Sequence, residues 1–473
     1  MFISGLSAQT FPALEPDPEA LGYAGCGEYS WQDIGEIALW ASAVGATQAA
    51  NAASRTEIIR TAAAELLAMP DLPADPKARG EFVLSFVHRR FLKGYAEHQT
   101  RLDEIFRTGR YNCVSSAVLY AIFAAAAGLD VQGVATKDHA FITVNTGAER
   151  IDVETTNPMG FDPGNRREFH DGFGKLTGFA YVPARNYRDR TPISQLELVS
   201  LILSNRISEL ESRNRYGEAV PLAIHRAALL RNRLNPATSA FFRDPQRDLM
   251  DRLMNYGSSL MKSGQEARAI EWAVLAGERY PDEARWQEFI DAALNNLLVK
   301  LIRGKRVADA RTSLEANAAI LNRNTFDRLD ALVLDAEIVQ RSTAIRTAED
   351  AEAALLDIEH AQGMLSENRA RELRDFIILK EGGRRSSAEG AEAAISYTEA
   401  AIARYGRDTQ LENAIRVYRN KRLADLHNTF ADLYNRGDYD GASQFVRTAL
   451  EEFPGNRNLT QDLNLVEKAL RSR

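Results

Sequence analysis

Apolar residues in the first third of the chain recur at helical spacing and then switch to strand spacing. From Trp31 to Met69 an Ala-rich run predicts helix up to the breaks at Pro70 and Pro73. A second helix is predicted from Lys77 to about Tyr95, where Phe82, Phe86 and Phe91 with Val83, Val87 and Leu92 form one apolar stripe. A short amphipathic turn, Leu102 to Phe106, leads to Gly109. The run opened by Cys113 is apolar almost throughout and stops at Gly128, a residue suited to a left-handed helix cap. The period then changes. Val131 to Thr136, His139 to Asn145 and Arg150 to Thr155 read as strands, with Gly147 in the turn between the second and third. Gly178 to Val182 reads as a further short strand closing the sheet.

A polar stretch bounded by prolines, Pro183 to Pro192, marks the expected domain boundary. From Ile193 to Ala469 helical runs of about a dozen residues alternate with short polar breaks. Several breaks share one arrangement, a polar turn and then a small residue opening an Ala-containing helix. They are Asn214 to Ala219, Lys262 to Ala267, Arg303 to Ala308 and Asn435 to Ala442. This resembles tetratricopeptide helical hairpins, most closely over Leu253 to Pro281 and Leu426 to Pro454, as an array of irregular spacing. Lys380 to Ser387 (KEGGRRSS) reads as an exposed loop within it, its arginines and serines forming a solvated turn. The layout is therefore a leader (residues 1–20), an α+β domain with a helix packed on a small antiparallel sheet (21–190), and an all-α hairpin array (193–473).

Bulk properties narrow the function classes. With 473 residues the chain is too long for one ordinary core. A formal net charge of -7 and a pI near 5.7 argue against a general nucleic-acid binder, which needs a basic face. The longest apolar run, Ala117 to Ala127, falls well short of the roughly 20 residues that span a bilayer, so no membrane span is expected. Two cysteines, Cys26 and Cys113, exclude a disulfide framework, and Cys26 in Gly25-Cys26-Gly27 shows no sign of packing beside Cys113. Met1 to Gln9 resembles the tail of a secretory signal without its basic start, which implies export or a periplasmic location; the alternative is a tail on a cytoplasmic protein. Phe11 to Pro18 reads as an extended lead-in.

The candidate chemistry lies between Gly109 and Thr156. A thiolate is the working form of a cysteine nucleophile, favoured at a helix N-terminus and beside an imidazolium. Cys113 follows a plausible N-cap, Asn112, and opens a helix whose first N–H groups suit a developing oxyanion. His139 begins the next strand but one, and Asp152 and Glu154 share a face of the strand after it, so either acid can orient the imidazole. Tyr111 and Asn112 are candidate oxyanion or substrate contacts, as is Tyr95; core packing or surface decoration is the simpler reading of both tyrosines. The other histidines show no ligand spacing, and no Gly-rich phosphate loop or nucleotide fingerprint occurs, so no metal or cofactor is expected.

The order Cys113, His139, acid, with the Gly128-Leu129 helix exit, His139-Ala140-Phe141 and Val153-Glu154-Thr155-Thr156, resembles the transglutaminase-like superfamily, whose papain-like triad puts the cysteine on a helix and its partners on strands. The resemblance covers roughly Lys77 to Thr156. It implies Cys113, His139 and Glu154 as the triad, with Asp152 as the alternate acid. It departs from the family at Phe141, where tryptophan is common, and at Glu154, where aspartate is usual. Asn112 to Ser116 also looks like a bacterial subgroup in which such a core precedes tetratricopeptide-type helices. The resemblance implies cysteine-dependent acyl transfer on peptide or glutamine-type amides, as protease, deamidase or cross-linker, with the helical array recruiting a protein substrate or partner. On that view, removing residues beyond about Pro192 leaves small-substrate chemistry intact. The alternative is a catalytically silent domain within a protein–protein interaction scaffold.

Overall fold

The computed structural model describes residues 10–25, 28–45, 52–164, 190–231 and 244–472, with Phe169, Gly174 and Lys175. The expected leader over Met1 to Gln9, Cys26, and the strand expected at Gly178 to Val182 lie outside the described residues. Two compact units are present, Met1–Ala293 and Leu294–Arg473, so the stretch read as a domain boundary lies inside the first.

The first unit opens with the Phe11 to Pro18 lead-in. The Phe11 ring sits 5.8 Å from that of Trp272, and Glu15 pairs with Arg279. α1 (Pro18–Gly25) and α2 (Trp31–Ala43) follow, the latter started by a Ser30/Asp33 capping box. The helix expected from Trp31 to Met69 is in fact two, α2 and α3 (Ala52–Leu67), because Gly45 takes a left-handed φ of 72°. Arg206 closes the end of α2 by donating to the Ala41 and Val44 carbonyls, both at 2.7 Å. α4 (Pro76–Arg90) ends short of Tyr95, which instead belongs to β1 (Gly94–Tyr95). After α5 (Leu102–Thr108), β2 (Arg110–Tyr111) pairs parallel with β1.

α6 (Cys113–Ala126) is apolar on every side and buried from Val114 to Ala124, which puts it at the centre of the unit. It packs on α2, α4, the helix Gln195–Ser212 and the sheet. That sheet is four-stranded and antiparallel, in the order β5–β4–β3–β6, from β3 (Asp130–Ala135), β4 (Ala140–Asn145), β5 (Arg150–Val153) and β6 (Thr191–Ile193). The fold class is therefore α+β, mostly helical with a small antiparallel sheet. β6 carries Pro192, tolerated because this is an edge strand.

Beyond β6 the described residues are helical. The four recurrent breaks share one backbone geometry. Asn214, Gly264, Lys305 and Gly437 each take a left-handed φ between 59° and 77°. The amide that follows each of them returns to a leucine carbonyl five positions back: Arg215 to Leu210 at 2.8 Å, Gln265 to Leu260 at 2.9 Å, Arg306 to Leu301 at 2.9 Å and Asp438 to Leu433 at 3.1 Å. This is the Schellman closure, which satisfies the last carbonyls of one helix as the chain turns into the next. Lys305 lies one position after Gly304, so here a side-chain-bearing residue holds the left-handed site.

The second unit buries one apolar cluster about Ile338, Ile358 and Ile377 and another about Phe430, Val446 and Val466. The loop expected at Lys380 to Ser387 is instead the C-terminal part of the helix Glu367–Ala388. Gly382 allows close approach there, since a Cβ would stand 2.9 Å from the Tyr418 hydroxyl oxygen. Arg384 and Arg385 are not a free solvated turn, because both bind the buried carboxylate of Glu381.

Candidate active site

Cys113 is the first residue of α6, and the chain builds that helix start with care. Asn112 Oδ1 accepts from the Ser115 amide at 3.0 Å, and Ser115 Oγ accepts from the Asn112 amide at 3.0 Å. Asn112 Nδ2 donates to the Glu97 carbonyl (3.0 Å) and Ser115 Oγ to the Gln99 carbonyl (2.9 Å), which ties the cap to the preceding loop. The amides of Cys113 and Val114 fall in the first helical turn, where an α-helix supplies no partner of its own. Cys113 itself is a free thiol, partly exposed.

His139 lies in the turn joining β3 to β4, one residue before β4 rather than within it. Thr136 fixes this turn: its amide donates to the His139 carbonyl at 2.8 Å, and its hydroxyl accepts from the His139 amide at 3.1 Å. His139 Nε2 donates to Glu154 Oε2 at 2.6 Å. The side chain of Cys113 is hydrogen-bonded to the same imidazole. With Nε2 committed to Glu154, Nδ1 is the ring nitrogen left for the sulfur. Burial lowers the His139 pKa, but the Glu154 charge and the bonds to Cys113 and Glu154 outweigh it, and the net shift is well upward. The ring therefore holds its second proton as an imidazolium, the neighbour that supports a thiolate.

Two acids were candidates for the third position, and they do different things. Continuing the β4–β5 register puts both on the face of His139 and Phe141. Glu154, just past the end of β5, is buried; its other oxygen, Oε1, accepts from the Thr156 hydroxyl at 2.7 Å and from the Thr156 amide at 3.2 Å. Asp152 is engaged by Arg190, whose Nη1 donates to it at 2.8 Å, and the Arg190 guanidinium also lies 5.1 Å over the Phe141 ring.

The turn bearing Glu154 is clamped from three elements. His88 Nε2 of α4 donates to the Thr155 carbonyl at 3.0 Å, Tyr111 Oη of β2 to the Thr156 carbonyl at 2.9 Å, and the Ser116 and Thr155 hydroxyls share a bond of 2.9 Å. Burial drives the His88 pKa down to about 4, so this ring is neutral. Gly160 closes the turn by accepting from the Glu154 amide at 2.8 Å, and a Cβ at Gly160 would run into the Glu154 carbonyl.

Tyr111 and Asn112, read as oxyanion or substrate contacts, are 2% and 3% exposed, with their polar side-chain atoms committed to Thr156, Ser115 and Glu97. Tyr95 is within electrostatic reach of Cys113. Burial first, then the charge of Cys113, pushes its phenol's pKa up, so it remains a neutral donor near the sulfur.

A groove of about 480 Å³ leads to Cys113 and His139. One wall is the Thr136 to His139 turn. The other comes from helices beyond residue 193: Leu201, Ser204 and Asn205 of Gln195–Ser212, with Arg226, Asp248 and Arg252. Asp248 bridges the two arginines, at 3.0 Å to Arg226 and 3.1 Å to Arg252. Sequence reasoning missed this wall, because it assigned every helix after the proline-bounded stretch to a separate array. It also missed His88 and Arg190, which no motif marks.

Among the described residues no three His, Cys, Asp or Glu side chains converge as a metal site, and no helix is long and apolar enough to cross a membrane. No family model matches the chain, and no curated protein matches it at a significant level.

Proposed function

We propose that this protein is a cysteine-dependent acyl-transfer enzyme acting on peptide or glutamine-type amides, with a transglutaminase-like domain around α6. The observation that carries this reading is the His139 ring, bonded to the Cys113 side chain on one side and to the buried Glu154 carboxylate, at 2.6 Å, on the other. In the proposed reaction the Cys113 sulfur attacks the amide carbon, and the oxyanion forms against the first-turn amides of α6. His139, an imidazolium at that stage, delivers its Nδ1 proton to the departing nitrogen as the C–N bond breaks. The neutral ring then takes a proton from water or an amine as that nucleophile displaces the sulfur. Glu154 keeps the imidazole oriented and balances its charge throughout.

The helices beyond residue 193 supply the far wall of the groove, which supports a role for them in holding a protein or peptide substrate. The test is a glutamine-containing peptide library incubated with and without a primary amine and read by mass spectrometry. Cleaved, deamidated or amine-linked products that vanish in C113A uphold the proposal. Products that persist in C113A refute it. A Cys113 that alkylates only on unfolding favours a silent interaction scaffold.

A further inference from the structure

Away from the Cys113 groove, and sharing no lining residue with it, a second cavity of about 580 Å³ opens between α3, α5 and the helices Gln195–Ser212 and Tyr216–Leu230. Six arginines line it: Arg55, Arg101, Arg107, Arg206, Arg213 and Arg215. Like charges converge at one place only when counter-charge is at hand. The carboxylates in the lining are four, Asp103, Glu104, Glu209 and Glu218, so the cavity holds an excess of two positive charges in a chain whose net charge is -7.

The pairing shows where the excess sits. Arg107, Arg213 and Arg215 each have an acid of their own, Glu104, Glu209 and Glu218. Arg55 and Arg101 must share the buried Asp103, at 2.9 and 2.7 Å. Arg206 is 9% exposed and directs its fork at two backbone carbonyls rather than at a carboxylate. Burial, then the charge of Arg101, lowers its pKa to about 10. Planar guanidinium forks arriving from several elements suit the bidentate recognition of phosphate oxygens, and the volume is that of a small-molecule site.

We infer that this cavity is a binding site for a small polyphosphate group, free or carried on a small molecule, held by Arg101 and Arg107 at α5 and by Arg206, Arg213 and Arg215 in and between the two helices that follow β6. The test is calorimetric titration of the full-length protein with sodium pyrophosphate, ADP and citrate at low and high salt. Pyrophosphate should bind, and more weakly as salt rises. Removing one charge a few ångströms from the ligand at intermediate dielectric should weaken binding about tenfold, so R101Q and R215Q should each show that loss. R101Q leaves Asp103 paired with Arg55, and Arg215 is about half exposed, so both variants should fold. R323Q, at an exposed site in the second unit, should bind as the unaltered protein does. ADP binding as tightly as pyrophosphate, or more tightly, upholds the proposal. Absence of heat with about 1 mM pyrophosphate, equal weakening by R323Q, or binding of citrate without pyrophosphate overturns it.

Discussion

Replacing Glu154 by glutamine isolates the electrostatic part of the proposed triad. Gln keeps an oxygen for the Thr156 hydroxyl and amide, at 2.7 and 3.2 Å in the native turn, so the local fold should survive. What is lost is a charge-assisted bond of 2.6 Å to His139 from a carboxylate whose side chain is 3% exposed. Such bonds are worth about 1.5–3 kcal/mol, so the His139 pKa should fall when the carboxylate is lost. The iodoacetamide alkylation rate of Cys113 in mildly acidic buffer should drop about 10- to 100-fold, the same free energy read as a rate. Toward pH ~9 a free thiol ionises unaided and the two profiles should converge. The assay is the alkylation rate constant of Cys113 across pH, read by peptide mass spectrometry. D152N is the control: Asp152 serves Arg190, so its profile should match the native one. Superimposable E154Q and native profiles, or a D152N profile that falls in place of E154Q, refute the assignment.

The remaining predictions concern the supports of that site and the turns of the hairpins. G160A should destabilise the fold by on the order of 3 kcal/mol and slow Cys113 alkylation, since its Cβ collides with the Glu154 carbonyl; native Tm and alkylation rate in that variant would count against the clamp. His88 has its pKa lowered to about 4 in the fold against about 6.5 unfolded, so its contribution is complete above pH ~6.5 and lost as pH falls toward 4. Urea unfolding should show about 3 kcal/mol less stability at the acid end, a loss that H88Q abolishes. K305G should raise stability by several tenths of a kcal/mol, the relief of a left-handed non-glycine residue partly offset by glycine's greater freedom when unfolded, whereas G264A should lower it by about 1 kcal/mol. A chain ended near Pro192 should become insoluble and lose the native pH profile of Cys113 alkylation, whereas one ended after Arg303 should retain that profile.

Much of the first unit was legible because its signals are local. The apolar run from Ala117 to Ala127, with Asn112 ahead of it and Gly128 after it, defines α6 from sequence alone, and the switch to period two gives three strands within a residue or two. The candidate triad could be read only as an order of residue types. Separating the roles of Asp152 and Glu154 required Arg190, which reaches Asp152 from within the proline-bounded stretch read as a boundary. The break at Gly45 was hidden because alanine suits helix on either side, and the helix through Lys380 to Ser387 because glycine there serves close packing instead of ending it. The edge strand carrying Pro192 was read as linker, since three residues cannot display a period.

That last misreading bears on how the protein is divided. A helix buried on every face needs cover on every face, and α6 receives it from α2, α4, the sheet and the helix Gln195–Ser212. β6 runs directly into that helix through the Ser194/Glu197 capping box, so the strand completing the sheet and the helix sealing α6 are one continuous piece of chain. Arg206 of the same helix closes the end of α2. Removing the segment would strip one flank of the helix that carries Cys113, an edge of the sheet and the groove's far wall together. The chemistry proposed for Cys113 and the groove wall proposed to hold its substrate therefore belong to one compact unit. Substrate selection should be sought in substitutions at Ser204, Asn205 and Arg252 rather than in deletion of the helices that carry them.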